Sequence, residues 1–302
     1  MNLLIDSFLQ YMRLELNRAS LTVDAYRRDL LQLLAFLRRE AGSDDVDASL
    51  VTAADLRAWL IERSDSGDSA ATLRRKVQAA RAFFRRLQQQ GLVNDNPAKA
   101  VELAKLPRRL PTFVRPATMD RLLDDDNADL ATDVIAARDR LIVMMLYETG
   151  MRRAELITLR DAAVDTGHGT LRVRGKRDKD RIIPFGSELA DAIDHYRTLR
   201  GKPGVDDAFF TRPDGQPLYP TLVYRIVTSQ LQQGGVTGKR SPHVLRHSFA
   251  TAMLDNGAAI NSVKDLLGHA SLAATQVYTH VTFSELKHNY QLAHPRALKQ
   301  GD

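Results

Sequence analysis

Four prolines, Pro97, Pro107, Pro111 and Pro116, fall within NPAKAVELAKLPRRLPTFVRP, residues 96–116. Proline fixes φ and lacks an amide donor, so neither a helix nor a central strand runs unbroken through such a stretch. The chain is therefore expected to fold as two bodies joined by an extended interdomain linker. With 302 residues, each body has enough chain for a core of its own. The reading is a helical domain over 1–95, a linker over 96–116 and a second domain over 117–302.

Upstream of the linker the apolar spacing is helical. Leu3, Phe8 and Met12 begin one helix. Tyr26, Leu30, Leu34 and Leu37 mark a second, with Ser20 and Thr22 as candidate caps. Gly42-Ser43-Asp44-Asp45 breaks the chain before a third helix over roughly Ala53–Arg63. A fourth runs from about Ser69 to Gln90 and stops at Gly91. It carries Arg74, Arg75, Lys76, Arg81, Arg85 and Arg86 between Leu73, Val77, Ala80 and Phe84. Six cations on one helix form either a solvated face or a stripe against a polyanion.

Downstream, Leu141, Ile142, Met144, Met145 and Leu146 make a buried helix that ends at Gly150. Leu171 and Val173 alternate with polar residues, as do Ile182 and Pro184 more loosely, with GKRDKD between them. This pattern predicts a small antiparallel hairpin. Helices are expected again near Glu188, Pro220 and Pro242. The fold class is mainly α with a small antiparallel β element in the second domain.

The bulk properties narrow the chemistry. No run of 18 apolar residues suggests a membrane span, and the N-terminus lacks the basic leader and cleavage site of a signal peptide. The absence of cysteine excludes disulfides, thiol catalysis and thiolate-bound zinc, and fits a cytoplasmic setting. A formal charge of +6 favours a polyanionic partner.

The chemistry concentrates in three segments. SPHVLRHSFAT carries His243, Arg246 and His247 at i, i+3 and i+4, on one face of a helix begun by Ser241 and Pro242. Zinc is an alternative for two such histidines, but Val244 and Leu245 stand where an HExxH site has its glutamate. LLGHASLAATQVYTH carries His269 and Tyr278, and alone either one reads as a helix-end or core residue. Arg152, in TGMRRAEL, opens a short helix where a guanidinium can cradle phosphate, or pairs with Glu155. Lys176 sits at the hairpin tip, an ordinary place for a surface lysine. Together these are five potential cations and one tyrosine, a set suited to a phosphodiester: the tyrosine to attack phosphorus, the cations to hold the spreading charge.

These segments resemble the tyrosine recombinase (phage-integrase-like) family. Its pattern of TGLRxSEL, xGKGxKxR, HxLRH, LGH and TxxxYTH maps onto Arg152, Lys176, His243, Arg246, His269 and Tyr278 as the catalytic set. In length the chain is similar to the Xer subgroup, and the ending THVTFSELKHNYQLAHPRA is similar to its XerC branch more than to XerD. Arg153 and Arg177 depart from the family pattern, the latter replacing the glycine after the lysine.

The resemblance implies a two-domain, C-shaped clamp on double-stranded DNA at a specific recombination site, with a SAM-like N-terminal domain and the basic fourth helix on the phosphate backbone. It implies cutting and rejoining through a 3′-phosphotyrosyl link without metal or other cofactor. It further implies a heterotetramer with a second, XerD-like recombinase, a DNA-translocase activator, and resolution of chromosome dimers before cell division. An integrase of a phage or mobile element is the alternative, and a type IB topoisomerase a more distant one. The segment from Phe283 through Leu286 to Tyr290 has the spacing of a helix donated to a neighbouring protomer.

Overall fold

The computed structural model describes residues 1–102, 113–124, 132–175, 180–268 and 283–297. The chain divides into two units, Met1–Arg109 and Leu110–Asp302.

Unit 1 is built on α1 (Asn2–Leu14), α2 (Ser20–Ala41), α3 (Ala53–Asp65) and α4 (Ala70–Gln89), the four helices the periodicity predicts. Their apolar stripes meet in one core around Phe8, Leu30, Leu33, Trp59, Phe83 and Phe84, with Phe8 edge-on to Phe83 at 5.6 Å. Burying each such side chain contributes roughly 1.5–3 kcal/mol. Thr52 and Asp55 close a capping box on α3, and Ser69 caps α4. Neither Ser20 nor Thr22 caps α2, whose N-cap is Ala19 without a side-chain bond.

The expected linker is shorter than the prolines suggest. Pro97–Ala100 forms a 3₁₀ turn held by Asn96, and Arg81 of α4 donates to the Ala98 and Val101 carbonyls. Those residues belong to the core of unit 1. At the other end, the Val114 amide donates to Ser248 Oγ at 2.7 Å, and Pro116 opens the next helix. Proline at a first helical turn loses no bond, so it starts a helix here.

Unit 2 contains α5 (Pro116–Leu123), α6 (Val134–Thr149), α7 (Arg153–Ile157), β1 (Val164–Asp165), β2 (Thr170–Arg174), β3 (Asp180–Pro184), α8 (Ser187–Arg200), α9 (Pro220–Gln233), α10 (Pro242–Asp255), α11 (Ile260–Leu267) and α12 (Phe283–Ala293). The buried helix α6 is the centre, packed by α8, α9 and α10. It ends at Gly150, whose φ is +59° and where a Cβ would meet the Phe249 ring at 2.4 Å. Only glycine satisfies both the left-handed turn and that approach.

The predicted hairpin is present and gains a short third strand, in the order β1-β2-β3, all antiparallel. Its inward phase differs by one residue from the expectation. Leu171 pairs with Ile183, and these two face the core with Val173, while Ile182 is 42% exposed. Period two then turns Arg181 inward with Ile183.

Helix α12 lies on its own unit, against α10, α11 and β3, with Tyr290 and Ala293 buried. Its follow-on residue Arg296 is 3% exposed and bonds Asp124, Asp120 and Glu188, 3.3 Å from Glu148. In the isolated chain the segment expected to be donated is thus anchored at home. No helix among the described residues is long and apolar enough to cross a membrane.

Candidate active site

Helix α10 begins as its sequence suggests. Ser241 Oγ accepts from the Val244 amide and Pro242 stands in the first turn. Val244, Leu245, Phe249 and Met253 bury the other side, which fixes the rotation of the helix. His243 is left exposed at one end of the polar face, while Arg246 is only 8% exposed. His247 is partly buried beside them.

The C-terminal end of α11 supplies the second wall. A helix leaves its last carbonyls without intrahelical partners. Here three consecutive ones each receive a different arginine. Arg181 Nε donates to the Leu266 oxygen at 2.8 Å, Arg246 Nη2 to that of Leu267 at 2.6 Å, and Arg152 Nη2 to that of Gly268 at 2.9 Å. Arg246 Nη1 also donates to the Gly150 carbonyl, which ties α10 to the end of α6.

Glu155 is the counter-charge. Its backbone lies in α7, and its carboxylate accepts from the Arg152 amide at 2.7 Å and from Arg152 Nη1 at 2.7 Å. It also takes a two-pronged contact from Arg181 at 2.8 and 2.9 Å. Burial works to raise the Glu155 pKa, yet the bonds from Arg181 and from the Arg152 amide hold it below the usual carboxylate range. Arg246 is pulled down to about 10 by burial first and by Arg152 next, so it stays charged at neutral pH. Three guanidinium groups against one carboxylate leave this corner with two positive charges in excess. Such a corner favours an anion.

A cavity of about 510 Å³ opens on that corner, lined by Arg152, His243 and Arg246 together with Arg153, Tyr224 and Lys239. Three of the six residues expected from the sequence therefore come together at one opening. Lys176, His269 and Tyr278 lie outside the described residues, as does Arg177. Arg152 occupies the N-cap position of α7 and pairs with Glu155. Among the described residues no cluster of histidine and carboxylates with metal-ligand character is present.

The basic helix of unit 1 does not offer its six cations alike. Lys76 is a correction: it is 3% exposed, within 3.4 Å of the buried Asp29 carboxylate, bonded to Gln32, and 5.6 Å from the Trp59 ring. At 100° per residue it falls on the side opposite Arg74, Arg81 and Arg85. Arg75 is likewise drawn to Asp29 at 2.7 Å, Arg81 to the carbonyls of the 3₁₀ turn, and Arg86 onto the Tyr11 ring. Arg85 is exposed and Arg74 partly so. A count of cations along the sequence misses this, because the partner of Lys76 lies 47 residues away.

Sequence reasoning also passed over Arg181, Lys239 and Tyr224. The strand phase gave no signal for Arg181, because reading Ile182 and Pro184 as the inward residues turns it toward solvent.

Comparison with known proteins follows the same division of the chain. Residues 112–285 match the phage integrase family, and residues 5–91 match the N-terminal SAM-like domain of phage integrases. The chain is 37% identical to tyrosine recombinase XerC of Chlorobaculum parvum, across 97% of this chain and 94% of that protein. It is 35% identical to tyrosine recombinase XerC of Listeria welshimeri, across 96% of this chain and 97% of that one. The structure of XerH site-specific recombinase bound to difH substrate superposes with a TM-score of 0.67 at 24% identity, covering 88% of this chain and 78% of that chain, a likeness of fold. With both family models matched and XerC relatives alike over nearly its whole length, the chain belongs to the phage integrase family and is a site-specific DNA recombinase of its tyrosine class.

Proposed function

We propose that the chain cuts and rejoins double-stranded DNA at a specific site, with Tyr278 as nucleophile and Arg152, Lys176, His243, Arg246 and His269 as its catalytic partners. The observation that carries this reading is the shared cavity of Arg152, His243 and Arg246 above a corner with excess positive charge. The Tyr278 oxygen attacks the scissile phosphorus and its proton passes to His243. The P–O5′ bond breaks, Lys176 protonates the departing oxygen, and a 3′-phosphotyrosyl link and a free 5′-hydroxyl result. Forming a phenolate at pH 7 from a group of pKa about 10 costs roughly 4 kcal/mol. Arg152, Arg246 and His269 offset such costs by holding the nonbridging oxygens where charge builds in the transition state. Because the phosphodiester energy is kept in the tyrosyl link, reversal onto another strand needs no ATP, and side-chain cations serve where a metal ion otherwise would.

Arg74 and Arg85, on one face of α4, would meet the DNA backbone in unit 1. The biological reaction proposed is resolution of chromosome or plasmid dimers before cell division, in the cytoplasm. It would run in a heterotetramer with a second, XerD-like recombinase under a DNA-translocase activator. Likeness to XerC proteins over nearly the whole chain supports it.

The test uses a supercoiled plasmid carrying two direct copies of a chromosome-dimer-resolution site, with the partner recombinase present. Two smaller circles should form with wild-type protein and none with Tyr278→Phe. Relaxation of a plasmid lacking the site, without resolution, would instead indicate a topoisomerase. Insertion between unlike sites would indicate a mobile-element integrase.

A further inference from the structure

We infer that Arg181 is a positioning residue for Arg152, acting through Glu155 and the end of α11; this rests on the recombinase reading above. Arg181 stands on the inward face of β3, with its side chain 13% exposed, and has no line of contact to the cavity that the other arginines share. It spends its guanidinium on structure: two bonds to Glu155 and one to the Leu266 carbonyl. Glu155 in turn grips the amide and the guanidinium of Arg152.

Three features make this more than a convenient ion pair. The same helix end that Arg181 holds at Leu266 is held by Arg246 at Leu267 and by Arg152 at Gly268, so one displacement moves both phosphate-binding arginines. The next residue after that end is His269. The turn at Gly268 has φ +63°, and a Cβ there would come within 3.1 Å of Arg181 Nη1, so the guanidinium fills space that glycine leaves open. And Arg181 follows Lys176 by five residues in sequence, and it ties β3, Glu155 and the end of α11 together.

A lysine cannot reproduce this arrangement. The planar fork of arginine makes a two-pronged bond to Glu155 and a third to the Leu266 carbonyl, whereas an ammonium group is a point donor. Misplacing a reacting group by about 1 Å costs on the order of 100-fold in rate.

The experiment compares wild type, Arg181→Met and Arg181→Lys in single-turnover formation of the covalent adduct on a nicked suicide duplex. DNA affinity and thermal unfolding are recorded in parallel. Arg181→Met should be about 100-fold slower and Arg181→Lys about 10-fold slower, with DNA affinity within about threefold of wild type. The same duplex is then made with a methylphosphonate at the scissile position, where the neutral group has less need of a precisely seated Arg152. There the deficit of both variants should shrink to about fivefold or less. An equal deficit on the two substrates would mark general structural damage and overturn the inference, as would full speed in either variant. The lysine variant keeps a charge beside Glu155 and so remains informative where the methionine variant unfolds. A wild-type protein that forms no adduct fails the recombinase reading itself; a fast variant beside an active wild type fails only this inference.

Discussion

Glu148 lies on α6 with no exposure, and neither of its carboxylate oxygens accepts a hydrogen bond among the described residues. Arg296, whose Nε lies 3.3 Å from Glu148 Oε1, is engaged by Asp124 at 2.8 Å, Asp120 at 3.2 Å and Glu188 at 2.5 Å. Burial foremost, against the attraction of Arg296, pushes the Glu148 pKa from 4.5 up to about 8. A carboxyl with a raised folded pKa adds stability below its unfolded value, and that stability is lost as pH rises through the folded value. The slope is about 1.4 kcal/mol per pH unit. Between pH 6 and 9 the loss comes to about 3 kcal/mol, which lowers Tm by about 6–12 °C in a unit of this size. Glu148→Gln removes the titrating group and should remove that decline. The assay is thermal unfolding of both proteins at pH 6, 7, 8 and 9. Parallel curves would show Glu148 ionised throughout and would refute the reasoning.

Other consequences are as direct. His294, buried and stacked 5.0 Å from Tyr290, is pulled by burial from 6.5 down to about 3. Its contribution is present above pH 6.5 and lost as pH falls toward 3, so His294→Phe should flatten the acid limb of the same unfolding curves. Gly150→Ala forces a Cβ into the Phe249 ring and strains a φ of +59°; about 2–4 kcal/mol should be lost in urea unfolding. On α4, Lys76→Met should lower stability by about 1–3 kcal/mol with DNA affinity unchanged, because its partners are internal. Arg85→Ala should do the reverse, leaving unfolding unchanged and lowering the salt slope of DNA binding by about 1. Truncation after His280 should unfold unit 2 as well as impair assembly, since Tyr290 and Arg296 leave the core with it. A truncated protein with a normal melting curve would contradict that.

What was legible in the sequence was local. The four helices of unit 1 follow from a 3.6-residue apolar period, the start of α10 from Ser241-Pro242, and the end of α6 from Gly150, each a property of a few adjacent residues. The motif residues Arg152, His243 and Arg246 were legible by type and spacing, and the fold brings them to one cavity. What was hidden depends on partners distant along the chain. Lys76 looked like part of a DNA-facing stripe until Asp29 drew it inward. Arg181 looked like one of many cations in the hairpin until Glu155 and Leu266 gave it three bonds. Strand phase failed at Ile182 because the run Ile182-Ile183-Pro184 offers two apolar phases, and pairing with Leu171 chooses between them. The anchoring of the C-terminus by Arg296 was invisible for the same reason: its carboxylates come from α5, α6 and α8.

In the proposed reaction one tyrosine takes the DNA strand covalently, with side chains alone for assistance. The measurement that tests it most directly is peptide mapping of the adduct trapped on a nicked suicide duplex in EDTA, without ATP. A single nucleotide-bearing peptide is expected, linked at Tyr278 through a 3′-phosphate, with a free 5′-hydroxyl on the released strand. A link at any other residue, a 5′-phosphoryl link, or an adduct that forms only when a divalent metal is restored would contradict it.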